Sequence, residues 1–172
     1  MIRAINALVE KGVNNLKVRI AGRFVDAAYL SSLKQMTIEY NLTSIIEFIG
    51  FQKDMDAVWN QTDIAVICSR FESFGLSVCE AMARGIPAVC AKSTGTYEIT
   101  EKGLLAPLYD IGDYNQLVDQ LNYIISNYEP SAVRAAEVAT IIQNRYDVFQ
   151  SNKELVKLFQ QIIDSGGAEW DS

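Results

Sequence analysis

The sequence predicts a doubly wound α/β domain, a parallel sheet of five short strands with helices on both faces. Three observations carry that expectation. Short apolar runs at 16–22, 45–50, 64–68, 88–91 and 103–107 alternate with segments of helical period. The run Ile64-Ala65-Val66-Ile67-Cys68 is almost continuously apolar, as a strand covered on both faces requires. The 172 residues, 49% hydrophobic and 21% charged, suffice for one domain with a real core and no stapling metal or disulfide. The domain is expected over 1–165, with the Gly-rich 166–172 as a frayed tail.

The elements follow in order. Residues 2–9 read as a helix with Ile5, Leu8 and Val9 on one face, stopped by Lys11-Gly12. Residues 16–22 alternate and end in Gly22, a strand pattern. Asp26 is placed to cap a helix reaching Tyr40, and 45–50 is a second strand closed by Gly50. A short helix at 54–60 leads into the buried strand 64–68. Residues 76–84 are helical, 88–91 form a short buried strand, and 103–107 form the last. Three helices close the chain, near 114–127, 131–144 and 149–163. The expected sheet order is 2-1-3-4-5, with 16–21 beside 64–68. In such folds ligands bind beyond the carboxyl ends of the strands. That directs attention to Gly22-Arg23, Gly50-Phe51, 69–75 and 92–98.

Composition excludes several classes. A net charge of −6 argues against a nucleic-acid partner. It leaves room for a small phosphorylated ligand, because backbone N–H groups at one helix start can hold a phosphate. No histidine is present, so the commonest general base and zinc ligand are missing. Cys68, Cys79 and Cys90 lie in apolar runs and read as packing residues in a reducing compartment. No apolar stretch is long enough for a membrane span, and residues 1–8 have no leader pattern.

Residues 70–89, Arg-Phe-Glu-Ser-Phe-Gly-Leu-Ser-Val-Cys-Glu-Ala-Met-Ala-Arg-Gly-Ile-Pro-Ala-Val, are the most informative. They leave a buried strand, turn through Glu72 and Gly75, and enter a helix carrying Glu80. Free N–H groups at that helix start can accept an anion or sugar hydroxyls, and Gly75 lets a ligand approach the backbone. Carboxylates before and inside the helix suit two hydroxyl-bearing parts of one ligand. From pattern alone, Glu72 also fits simple stabilisation of a helix N-terminus. Glu80, among apolar neighbours, needs a partner or a ligand-facing pocket. Gly22 and Gly50 fit two readings, as strand terminators or as ligand-facing turns. Arg23 is placed to approach a phosphate or solvent, and Arg84 reads as solvent-facing.

This segment resembles the signature of the retaining GT-B glycosyltransferases of group 1 (family 4-like), which includes bacterial sucrose, lipopolysaccharide and capsule transferases. Two glutamates, Glu72 and Glu80, are separated by seven intervening residues, with Phe74-Gly75-Leu76 after the first. Ala81-Met82-Ala83-Arg84-Gly85-Ile86-Pro87 follows the second. Ala21-Gly22, Phe48-Ile49-Gly50, Cys68-Ser69, Gly95 with Glu98, and Gly103-Leu104-Leu105-Ala106-Pro107 keep the family's order across about residues 1–160.

The resemblance implies a Rossmann-like, nucleotide-sugar-binding C-terminal half of a GT-B fold. Glu80 is similar to the glutamate that binds the ribose. Glu72 is similar to the catalytic-site residue that holds a hydroxyl of the transferred sugar. Backbone N–H groups of Phe74, Gly75 and Leu76 would meet the sugar and distal phosphate. Gly50 and Phe51 are similar in position to the family's base-binding loop, and Gly22 to the glycine-rich turn facing the diphosphate. The ligand the resemblance implies is a UDP, GDP or ADP sugar, with no cofactor or metal. The setting implied is cytoplasmic, at or near the inner face of the membrane, in polysaccharide synthesis.

The pattern departs from the family at its start. No strand and Gly-Arg turn precede the first helix, and no acceptor-binding domain is present in the sequence. The parent protein is expected to be an enzyme and the chain alone an incomplete one, needing an N-terminal domain or partner subunit. Uncovered apolar surface would favour self-association. A sugar-nucleotide epimerase, a phosphorylase on the same scaffold, and a non-catalytic binding subunit are the competing functions.

Overall fold

The computed structural model describes residues 1–165 and bears out the α/β class, with a parallel sheet flanked by helices. The tail at 166–172 lies outside the described residues. Helix α1 (Ile2–Glu10) buries Ile2, Ala4, Ile5 and Leu8, and it ends where the Gly12 N–H reaches the Val9 carbonyl. Strand β1 (Val18–Ala21) is followed by α2 (Ala27–Glu39), capped by the Asp26 carboxylate on the Tyr29 N–H. Strand β2 (Ile46–Gly50) leads to the short α3 (Met55–Trp59), capped in the same way by Asp54. Then come β3 (Ala65–Ile67), α4 (Leu76–Ala83), β4 (Ala88–Ala91), α5 (Thr94–Ile99) and β5 (Leu108–Tyr109). Helices α6 (Tyr114–Ser126), α7 (Tyr128–Arg145) and α8 (Val148–Asp164) finish the described chain.

Strand β4 shows why the layers form. Side chains alternate across a strand, so Val89 and Ala91 face one core while Ala88 and Cys90 face the other. The first core lies under α1 and α6, with Leu8, Leu42, Leu117 and Leu121. The second lies under α4 and α7, with Val78, Met82, Val138 and Ile142. All four β4 residues are buried, as a strand covered on both faces must be.

Four expectations are corrected. The sheet is not continuous in the order 2-1-3-4-5. β1 pairs with β2, β3 pairs with β4, and β4 with β5, all parallel, and β1 shares no ladder with β3. Side chains of Ile20 and Val66 reach the common core beneath α1, so packing, not a backbone ladder, joins the two halves. Second, 103–107 is not a strand. Glu101, Lys102 and Gly103 all take left-handed φ angles (50°, 62° and 94°), which no strand tolerates, and pairing waits until Leu108. Third, α5 was not foreseen. Its start is made by Ser93 and Thr96, whose side chains and backbone N–H groups cap each other. Helix α7 also begins earlier than expected, because Pro130 sits in its first turn, where a missing N–H costs nothing.

Candidate active site

Four turns leave the carboxyl ends of β1 to β4. The turns after β1 and β2 meet each other. The Gly22 N–H donates to the Gly50 carbonyl at 2.9 Å, and the Arg23 guanidinium lies 4.7 Å over the Phe51 ring. Both glycines have positive φ (141° and 68°), with open space where a side chain would stand. They therefore do end strands, and their faces stay clear. Arg23 covers an exposed aromatic ring in place of reaching freely into solvent.

The turn after β3 carries Glu72, which is half-buried, and exposed Phe71 and Phe74. Gly75 closes it at the N-cap of α4 with φ 92° and ψ 53°, a left-handed conformation. A side chain there would also stand 3.0 Å from Val78 Cγ1. The first bond of the helix runs from the Cys79 N–H to the Gly75 carbonyl. Among the described residues nothing accepts from the N–H groups of Leu76, Ser77 or Val78, and no side chain caps the helix. Phe74 is steadied from outside by an edge-to-face contact with Tyr146, centroids 5.4 Å apart.

The turn after β4 presses against this loop. The Gly95 N–H donates to the Glu72 carbonyl at 2.9 Å. A Cβ on Gly95 would stand 2.7 Å from the Phe74 nitrogen and the Ser73 carbonyl carbon. The sequence places Gly95 in the stretch 92–98 and in the family pattern without giving it a role; here it is the spacer that lets α5 hold the Glu72 loop. Beside it, Lys92, Thr94, Tyr97, Glu98, Lys102 and Leu104 line an open depression of about 800 Å³.

Glu80 sits one turn into α4, half-buried. Its Oε2 accepts from the Trp59 indole Nε1–H at 3.0 Å, which supplies the partner its apolar setting demanded. Trp59 went unremarked in the sequence. The usable signal was an indole N–H at the end of the short helix expected at 54–60, since such a group, once buried, needs an acceptor. Arg84 is exposed but not idle. It donates to the Glu80 carbonyl and forms an ion pair with Asp56 of α3. Asp54 and Asp56 thus have separate partners, the Ala57 N–H and Arg84.

The cysteines divide. Cys90 is buried on β4, and burial pushes its thiol up to about 12. Burial also raises Cys79, with Glu80 adding to the shift. Cys68 is exposed at the end of β3, contrary to a packing role. No described helix is long and apolar enough to cross a membrane.

This architecture is that of a GT-B-type glycosyltransferase domain. The chain belongs to the family of glycosyl transferases group 1, whose profile matches residues 1–140. It is 25% identical to Alr3699/HepE of Anabaena, solved in complex with UDP, with a TM-score of 0.84 over 93% of this chain and 44% of that one. The C-terminal domain of a group 1 protein (LpcC) from Francisella tularensis shares the fold at 24% identity and TM-score 0.75, covering 86% of this chain and 77% of that one. The N-acetyl-alpha-D-glucosaminyl L-malate synthase of Bacillus anthracis is 26% identical over 60% of this chain. The chain spans 27% of that synthase and under half of HepE.

Proposed function

We propose that the chain is the C-terminal, nucleotide-sugar-binding half of a retaining glycosyltransferase. One observation carries the reading. At the carboxyl end of β3, Glu72 and Glu80 flank a helix start whose first amides lack acceptors. A nucleotide sugar has the matching order: sugar hydroxyls, a diphosphate, then ribose hydroxyls. Amides at a helix start favour the negative middle, and carboxylates favour the hydroxyls at either end.

In this reading Glu80 accepts from the ribose hydroxyls. Glu72 accepts from a hydroxyl of the transferred sugar and orients its anomeric carbon. The N–H groups of Phe74, Gly75 and Leu76 meet the sugar and distal phosphate. Gly22, Gly50 and Phe51 form the diphosphate and base side of the pocket. The UDP bound to the Anabaena relative supports a nucleoside diphosphate. Transfer also needs an acceptor hydroxyl held at the anomeric carbon and positive charge on the leaving diphosphate. Those functions are assigned to further parts of the enzyme, an acceptor-binding domain and a basic clasp for the diphosphate, so this chain alone binds donor without turnover. The proposed setting is cytoplasmic synthesis of surface polysaccharide.

Calorimetry with UDP, GDP and ADP and their sugar conjugates tests the reading. One nucleotide class should bind in the micromolar to millimolar range. Glu72→Gln should weaken the nucleotide sugar about tenfold, the equivalent of about 1.4 kcal/mol, and the free nucleotide less than about twofold. Equal loss for both ligands would remove Glu72 from sugar recognition. Absence of any nucleotide binding would refute the assignment.

A further inference from the structure

We infer that Trp59 is a positioning residue of this site, one whose indole N–H fixes the Glu80 carboxylate for recognition of the ribose diol. The inference rests on the nucleotide reading of Glu80 given above. Trp59 ends α3 and is 8% exposed, and its single donor meets Glu80 Oε2 at 3.0 Å across 21 residues of sequence. A carboxylate offers about four acceptor sites. The indole uses one, and no described side chain or backbone donor uses Oε1. What remains suits two adjacent hydroxyls.

The anchor is itself held on two sides. From α4, Arg84 pairs with Asp56 at the front of α3. From β1, the Arg19 guanidinium donates to the Val58 and Gln61 carbonyls and to Gln61 Oε1 at the far end. Glu80 is a flexible side chain whose unpartnered carboxylate would sample several rotamers. An indole fixed by α3 holds it in one, so less freedom is lost when ribose binds. A purely structural indole needs an acceptor of any kind. This one takes the carboxylate of a half-exposed glutamate and leaves its second oxygen open.

The test compares UDP with 2′-deoxy-UDP, or the guanosine or adenosine pair if calorimetry selects that base. The wild-type chain should prefer the ribonucleotide about tenfold, and Glu80→Ala should erase the preference. Trp59→Phe, which keeps an aromatic ring and removes the donor, should cut the preference to about threefold. In the Glu80→Ala background, Trp59→Phe should change neither affinity by more than about twofold. A Trp59→Phe variant that weakens both ligands equally with the preference intact has lost packing only, which overturns the positioning role. So does a variant indistinguishable from wild type, although the ribose role of Glu80 would then survive. Wild-type indifference to the 2′-hydroxyl, or no effect of Glu80→Ala, overturns the ribose reading and this inference with it. If Trp59→Phe fails to fold, the wild-type indole N–H resonance serves. It should move in Glu80→Gln and on adding UDP, and a resonance unmoved by both overturns the proposal.

Discussion

Gly95→Ala is the substitution whose consequences the structure defines most closely. The added methyl would lie 2.7 Å from the Phe74 nitrogen and the Ser73 carbonyl carbon, and 2.8 Å from the Glu72 carbonyl oxygen. All three are backbone atoms, which cannot rotate aside as a side-chain tip can. Either α5 or the loop at 72–74 must shift. Such overpacking costs about 1–3 kcal/mol. Separation also lengthens the 2.9 Å bond from Gly95 N–H to the Glu72 carbonyl, worth about 0.5–1.5 kcal/mol. Alanine is the better helix former by about 1 kcal/mol, which offsets part of the loss. The net is a destabilisation of about 1–3 kcal/mol.

Urea unfolding followed by circular dichroism measures that loss, with the m-value expected to stay constant. Gly12→Ala is the control. Nothing lies within 4 Å of its added methyl, but φ is 90°, so it loses about 1–2 kcal/mol through backbone strain far from the loop. The two variants should therefore be similarly destabilised, while only Gly95→Ala weakens nucleotide-sugar binding, by about tenfold. A Gly95→Ala protein within about 0.5 kcal/mol of wild type, or one binding donor as the control does, would refute the claim that α5 holds the Glu72 loop.

Two further expectations concern the same half of the fold. Lys102 has φ 62° without being glycine; Lys102→Gly should relieve about 1 kcal/mol of strain, less the entropy of the added glycine, and raise the thermal midpoint by about 2 °C. The Cys90 thiol stays protonated in the fold up to about 12, against an ordinary 9.0 when unfolded. Between those values the native state binds the extra proton, so stability is intact below pH 9 and falls as pH rises, by up to about 1.4 kcal/mol per unit. Cys90→Ala should flatten that alkaline slope in urea titrations at pH 8 to 10.5, and an unchanged slope would exclude burial of the thiol as its cause.

What the sequence made legible were features set by near neighbours. The apolar faces of α1 and β4, the Asp26 cap of α2 and the strand–turn–helix around Glu72 and Glu80 are each encoded within about twenty residues. Local propensity misled at α5, where Thr94, Gly95 and Thr96 are poor helix formers and the cap between Ser93 and Thr96 decides the matter. It misled again at Leu104-Leu105, an apolar pair that resembles a strand but follows three left-handed residues. The partner of Glu80 and the break between β1 and β3 are long-range facts. No periodicity reports which buried donor meets which carboxylate, or whether two strands of similar pattern share a ladder.

That break bears on how the proposed site would work. Glu72, Glu80 and the α4 amides stand on the half built from β3, β4 and β5. Gly22, Gly50 and Phe51 stand on the half built from β1 and β2. The proposed sugar and ribose contacts thus belong to one half, and the proposed base and diphosphate side to the other. A shared ladder would lock such halves in register, but here side-chain packing beneath α1 and the Arg19 bonds to Val58 and Gln61 join them. Packing alone tolerates small slides better than a ladder does, because it lacks the directional geometry of N–H to carbonyl bonds. The Arg19 bonds supply that geometry at one point, and that point is α3, which carries Trp59. In the proposed reading, the element that orients the ribose carboxylate is therefore also one that ties the two halves together.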